Sequence, residues 1–566
     1  MAKIARQRNN RERFLGVFSG LGNNVNNMIG AGIYSSPGKE KSFGYFGTVW
    51  RNVGSPWIAL LLWLLGGIAS FAGTLTYTEL GAQFQIGAGE TTYLEHSFPR
   101  PRLLLSYSFT MVYIILIRPA GISAVVNVCA QYLLFTLGLN GKGCELYEEF
   151  HPLYFNGRNF WRLKLTTVAI LAVIALYHSL SNKWSNRINQ ALVTTKVLTV
   201  LTVVVLGLSF AKASAERVNS KNVNWDMFSP ASPDFYQNVS ATEWIQRYIT
   251  AMLTILFAYA GWNNLNYLTE EFDRGESSRN LLISNAGAVG IVTVLYLLAN
   301  LAYTAVLNVA TVIGTKGTDP NEIIGVYFAA QIDQGDVDIV GSNVTLAKIK
   351  AARALSFFIA LSAFGAAAVL MQSASRVVDL AGQHNYVPFI SGWLSTWNDR
   401  LGTPVNSFIS LFVWCSILTM IVPGNSSFEF LVKIEQYTMY FFFLLAAIGA
   451  LVLRRRNRQQ ERRTYRAPLI IIILFILFAS IIVALSWVPP KSGSAPPTNS
   501  TTSLTDSTTS PTPNIACSKS KPVNTYAVYG TSLGVLILTG VLWRLMRGRF
   551  TEESETETEN GHGPRV

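Results

Sequence analysis

Apolar residues gather into runs of about 20 along most of the chain, the length an α-helix needs to cross the hydrocarbon of a bilayer. About twelve such runs are read, at roughly 15–35, 56–82, 103–136, 164–181, 187–211, 243–271, 281–309, 347–378, 404–423, 428–453, 467–488 and 523–546. In lipid every backbone group must find its partner inside its own segment, which a helix achieves. The pattern therefore predicts an all-α polytopic membrane protein.

Two runs are broken by polar and small residues. The first reads Asn27-Met28-Ile29-Gly30-Ala31-Gly32-Ile33-Tyr34-Ser35-Ser36-Pro37. Its two glycines each weaken a helix by about 1 kcal/mol relative to alanine. The sixth reads Phe257-Ala258-Tyr259-Ala260-Gly261-Trp262-Asn263-Asn264-Leu265-Asn266-Tyr267. Open backbone at membrane depth survives only where it lines a cavity or is buried in protein. Breaks in spans one and six are five spans apart, as expected for an inverted five-plus-five helix repeat with the binding site between the breaks. The alternative is close helix packing by small residues.

Composition changes the meaning of the length. The 566 residues would suggest several soluble domains, but charged residues are only 14% and hydrophobic ones 50%. A soluble domain carries about 25% charged residues. The formal net charge of +13 then reads as basic inner loops rather than as a nucleic-acid surface. The basic start (Lys3, Arg6, Arg8, Arg11, Arg13) and the arginine-rich stretch 454–466 place the N- and C-termini in the cytoplasm by the positive-inside rule. The polar start gives no expectation of a cleaved signal peptide. The sequons at Asn238, Asn343, Asn425 and Asn499 all then fall on or near the outer side, as glycosylation candidates.

The expected organisation is a cytoplasmic N-terminus (1–13), a membrane core of eleven helices (14–489), an extracellular Pro/Ser/Thr-rich loop (490–522), a twelfth helix (523–547) and an acidic cytoplasmic tail (548–566). Membrane location is expected, at the plasma membrane.

The motifs carry a family resemblance. Ile29-Gly30-Ala31-Gly32-Ile33-Tyr34 with Ser36-Pro37-Gly38 resembles the first helix of the amino acid–polyamine–organocation transporters. Phe257 to Asn263, Leu265-Asn266-Tyr267 and Thr269-Glu270-Glu271 resemble the sixth helix of their L-type amino acid transporter branch. Ile117-Arg118-Pro119-Ala120, Thr78-Glu79-Leu80-Gly81 with Gly89-Glu90, and Ser375-Arg376 are similar to further elements of that branch. The architecture is also similar to that of fungal methionine permeases. Ala31 stands where the family often has Ser or Thr, and Asn264 replaces a bulkier residue.

An amino acid is a zwitterion, so a membrane site must replace water at both of its ends. Freed N–H groups at Gly30, Ala31 and Gly32, following Ile29, suit a carboxylate. Freed carbonyls at Phe257, Ala258 and Ala260, beside Gly261, suit an ammonium group. The resemblance implies side-chain walls from Phe257, Asn264 and the tenth-span pair Met439 and Tyr440.

Lys196 lies about nine residues, or about 13 Å, into the fifth span, too deep for ordinary snorkelling. The resemblance places its ammonium where sodium-coupled relatives hold the ion. Arg118 sits mid-span beside Pro119, and a structural charge is expected there. Glu270, Glu271, Asp379 and Glu79 fall at inner helix ends, as gate partners or as solvated ends.

The branch uses an outer-loop cysteine to link to a heavy-chain glycoprotein, for which Cys144 is the candidate. A Cys144–Cys517 bridge and free thiols are the alternatives. Cys129 and Cys415 fall in spans, as core residues.

The expected function is secondary transport of neutral L-amino acids across the plasma membrane by alternating access. The alternatives are a proton-coupled methionine permease and an amino-acid-sensing receptor. The expected partners are a neutral amino acid and the lipid bilayer, with no nucleic acid. No metal or cofactor is expected, and an enzyme is not, because the five histidines are scattered over loops, tail and a span end. A channel is disfavoured because no charge ring or filter repeat appears.

Overall fold

The computed structural model describes residues 15–30, 32–33, 49–50, 52–84, 87, 89–139, 158–217, 239–272, 277–306, 328, 346–398, 400–421, 427–456, 465–487 and 525–559. The long helices are α1 (Val17–Met28), α2 (Pro56–Gln83), α3 (Leu104–Thr136), α4 (Arg158–Leu180), α5 (Asn182–Arg217) and α6 (Ala241–Ala258). They continue with α7 (Ser277–Val306), α8 (Leu346–Gln383), α9 (Val405–Ile421), α10 (Ser427–Arg456), α11 (Leu469–Leu485) and α12 (Thr525–Glu559). Each begins or ends within a few residues of an apolar run, apart from α12, which extends beyond its run, and the two broken spans. Among the described residues eight stretches are long and apolar enough to cross a membrane, and α9 and α11 are shorter apolar helices. The protein is a multi-pass membrane protein.

Local chemistry sets several ends. Pro56 opens α2, where its missing N–H is no loss, and the Ser240 hydroxyl accepts a hydrogen bond from the Glu243 N–H at the start of α6. α3 contains one π-helical turn, Tyr113–Ile117, immediately before Arg118 and Pro119. Pro119 has no N–H to give the Ile115 carbonyl four residues earlier, and Trp414 Nε1 of α9 donates to that carbonyl at 2.8 Å.

The helices pair five apart. α2 packs on α7, α3 on α8 and α4 on α9, while the 3₁₀ turn after α6 packs on α1. This is the arrangement a repeated five-helix unit produces. α3 is the central member, with 83% of its apolar window buried, whereas α12 is peripheral at 22%. The outward faces stay apolar, as on α11 with Ile470, Leu474, Leu477 and Ile481, because they meet lipid rather than water.

Candidate functional site

Both predicted interruptions are present. α1 stops at Met28, and Ile29 leaves the helical region with ψ at 81°. α6 stops at Ala258, passes through turns, and resumes as 3₁₀ segments at Asn264–Tyr267 and Thr269–Glu271. The two breaks touch. Gly261 has φ +103°, and a Cβ there would overlap the Asn27 carboxamide of α1. Glycine alone meets both demands at that position.

Freed backbone groups inside a bundle need partners, and side chains from the surrounding helices supply them. Lys196 Nζ of α5 donates to the Asn26 carbonyl at 2.6 Å. The Tyr296 hydroxyl of α7 stands 2.7 Å from the Met28 carbonyl and 2.9 Å from that of Ala258, so one proton is shared between the two breaks. Ser362 Oγ of α8 reaches the Ile29 carbonyl at 3.0 Å and that of Gly30 at 3.1 Å. Asn24 Nδ2 donates to the Trp262 carbonyl at 3.2 Å and to Asn285 Oδ1 at 2.7 Å.

Three of the expected free groups are engaged within the chain. The Gly30 N–H closes a tight turn onto the Met28 carbonyl at 2.8 Å. The Phe257 carbonyl accepts from the Ala260 N–H at 3.0 Å, and that of Ala258 from Tyr296. The Ala260 carbonyl has no donor among the described residues.

A cavity lies between the breaks. Asn27, Met28, Gly30 and Gly32 line it from the first span, Phe257, Ala258 and Ala260 from the sixth. Val125 and Val128 of α3, Ala366 and Leu370 of α8, and Glu435 of α10 complete the wall. Its free volume is about 30 Å³, room for one water molecule.

Not every expected pocket residue reaches it. Asn264 is fully buried in the 3₁₀ turn beyond the break and does not line the cavity. Gly261 packs on Asn27 instead, and the contribution of Ile29 is the carbonyl held by Ser362. On α10 neither Met439 nor Tyr440 lines the cavity; Tyr440 packs against Phe443 and Phe478. Glu435, one helical turn before Met439, takes that place. Ala31, Cys144, Cys517 and the sequons at Asn238, Asn343, Asn425 and Asn499 lie outside the described residues.

The charged residues Lys196, Arg118, Glu271, Glu79 and Asp379 are buried. Lys196 is 2% exposed and lies beside Gly365 of α8, between the first, fifth and eighth helices. Arg118 is sandwiched by the Tyr113 and Tyr267 rings, 4.8 and 5.4 Å from their centres, with Glu435 Oε1 4.0 Å from its Nη1. Glu271 pairs with Arg376 of α8, and Glu79 with Arg454 of α10. Asp379 accepts from Gln383 of its own helix. Among the described residues no group of three His, Cys, Asp or Glu side chains is placed to hold a metal.

Sequence comparison adds to this geometry. Residues 15–505 match a family profile described as amino acid permease. The chain is 27% identical over 418 residues to the cystine/glutamate transporter of Homo sapiens, covering 74% of this chain and 69% of that protein. It is 26% identical over 415 residues to the b(0,+)-type amino acid transporter 1 of Mus musculus, with 73% and 71% covered. It is 21% identical over 436 residues to the high-affinity methionine permease of Saccharomyces cerevisiae, with 76% and 64% covered.

Proposed function

The chain belongs to the amino acid permease family, and from that premise we propose that it is a secondary transporter of neutral L-amino acids at the plasma membrane. It is a transporter-family protein and not an enzyme. The observation that carries the proposal is the cavity shared by the two helix breaks, lined by residues of both and by aliphatic side chains of α3 and α8. Such a site holds the zwitterionic head through backbone groups and leaves the side chain to the walls.

The charge of the wall favours a neutral substrate over an anionic one. Glu435 is the one ionisable residue among the cavity's described lining residues, and it would repel a substrate carboxylate on the side chain. The relative named as a cystine/glutamate transporter is therefore a guide to architecture rather than to cargo. In the proposed cycle the broken helices rock against the scaffold, exposing the cavity to one side of the membrane at a time.

Uptake of radiolabelled amino acids into proteoliposomes tests this directly. A neutral amino acid should accumulate, either against internal substrate as exchange or under an imposed pH gradient as proton coupling. Methionine belongs in the panel because of the similarity to the yeast permease. Absence of uptake for every amino acid would falsify the proposal. A non-reducing gel with and without Cys144→Ser distinguishes a heavy-chain link from a bridge to Cys517.

A further inference from the structure

We propose that Glu435 sets substrate choice, selecting amino acids whose uncharged side chains end in a hydrogen-bond donor, an amide or a hydroxyl. The inference rests on the transport reading and specifies its substrate class.

The carboxylate stands in the cavity wall with only 3% of the residue exposed. Its Oε2 has no hydrogen-bond partner among the described residues. Arg118 Nη1 lies 4.0 Å from Oε1, near enough to balance the charge but beyond hydrogen-bond distance. The anion is thus neutralised without being satisfied. A buried acceptor in that condition is costly unless something donates to it, and Glu435 is part of the cavity wall.

The chain makes room for this group. A Cβ on Gly121 of α3 would lie 2.5 Å from both Glu435 oxygens, so the carboxylate rests against bare backbone. An alanine at 121 would displace it. Val125, Val128 and Leu370 supply the neighbouring wall, which suits an apolar stem leading to a polar tip.

Charge balance decides between donor classes. Arg118 already offsets Glu435, so a neutral amide or hydroxyl leaves the local sum at zero, whereas a lysine side chain would add an unmatched buried cation. A hydrocarbon tip would leave Oε2 without a donor. Sites built to hydrogen-bond a substrate reject the analogue lacking that group by large factors.

The test uses the full-length protein in proteoliposomes. Uptake of tritiated glutamine is competed with asparagine, leucine and lysine, asparagine and leucine being close in shape. The wild-type protein should be inhibited by asparagine at least about tenfold more effectively than by leucine, with lysine weak. Glu435→Leu should lower the glutamine-to-leucine uptake ratio at least about tenfold, and Gly121→Ala should move it in the same direction. Equal competition by leucine, strongest competition by lysine, or an unaltered ratio in Glu435→Leu overturns the proposal. The wild-type competition stands even if neither variant folds. Uptake of no amino acid at all would remove the transport reading itself, a distinct result.

Discussion

Lys196 Nζ donates to the Asn26 carbonyl at 2.6 Å, fastening α5 to the last turn of α1 just before that helix opens. The ammonium is 2% exposed, and the helix that carries it starts at Asn182, earlier than the apolar run suggested, which puts the charge further from the helix end. Held there, it anchors the end of the broken helix between α5 and α8. Lys196→Ala removes the donor and leaves a buried carbonyl unpaired, a loss of about 1–3 kcal/mol. Uptake should fall to background while the protein still reaches the cell surface, as measured by surface biotinylation beside transport. Uptake at the wild-type level would show that the contact is ordinary packing.

Tyr296 joins the two breaks through one hydroxyl. Tyr296→Phe keeps the ring among Trp63 and Tyr259 and deletes only the donor to Met28 and Ala258. Both carbonyls belong to segments that bound the cavity, so the loss should appear as weaker substrate affinity. A rise in KM of about tenfold, equivalent to about 1.4 kcal/mol, is expected with little change in protein level. A KM that does not move would mean the breaks are positioned by the remaining contacts alone.

The spans and both interruptions were legible because lipid imposes a strict rule. An apolar run must be helical, and Gly or Asn inside it must be buried where partners exist. Lys196 and Arg118 stood out on the same ground. Glu435 did not, although it is an acid inside a span, because its position near the start of the tenth run resembles an interfacial residue. Met439 and Tyr440 were expected at the cavity one turn too late. Glu435 and Met439 are four residues apart and share a face, so the resemblance that implied Met439 pointed to the right face of the helix but not to the depth along it. Tyr296 carried no signal, since a tyrosine in an apolar run reads as core until the carbonyls opposite it are known. For the π turn the signal was present in Pro119, which frees the Ile115 carbonyl that Trp414 takes.

Glu90 begins the short helix Glu90–Ser97 between α2 and α3, outside the spans, and is fully buried. Asn263 of the sixth-span break donates to its Oε1 at 3.0 Å. Burial raises its carboxyl above the usual range, outweighing the lowering by Tyr267 and Arg118. The folded protein therefore favours the neutral acid. Stability is fully present below the unfolded value of about 4.3 and is lost as pH rises from there toward the raised value. Apparent melting temperature in detergent, compared between about pH 5 and about pH 8, should fall more for wild type than for Glu90→Gln. Parallel slopes in the two proteins would exclude Glu90 as the titrating group.

At the end of the bundle expected to face the cytoplasm, Arg376 Nε of α8 meets Glu271 Oε1 at 2.6 Å, and Nη2 meets Asn182 Oδ1 of α5 at 3.2 Å. The Trp397 ring stacks 5.1 Å from the guanidinium. The pair ties the sixth span, just beyond its break, to α8, and Asn182 links the same guanidinium to α5. Removing one partner of a buried pair leaves an unmatched charge and typically costs about 3–5 kcal/mol, a strain that opening to water relieves. Glu271→Gln should therefore shift the population toward the state open at that end. The readout is an Ala366→Cys probe in the cavity wall, in a background lacking the four native cysteines. Its reaction with a membrane-impermeant maleimide applied to the cytoplasmic face should accelerate at least about tenfold, the change that about 1.4 kcal/mol produces. Unchanged labelling would mean that the Glu271–Arg376 pair braces the fold without governing access.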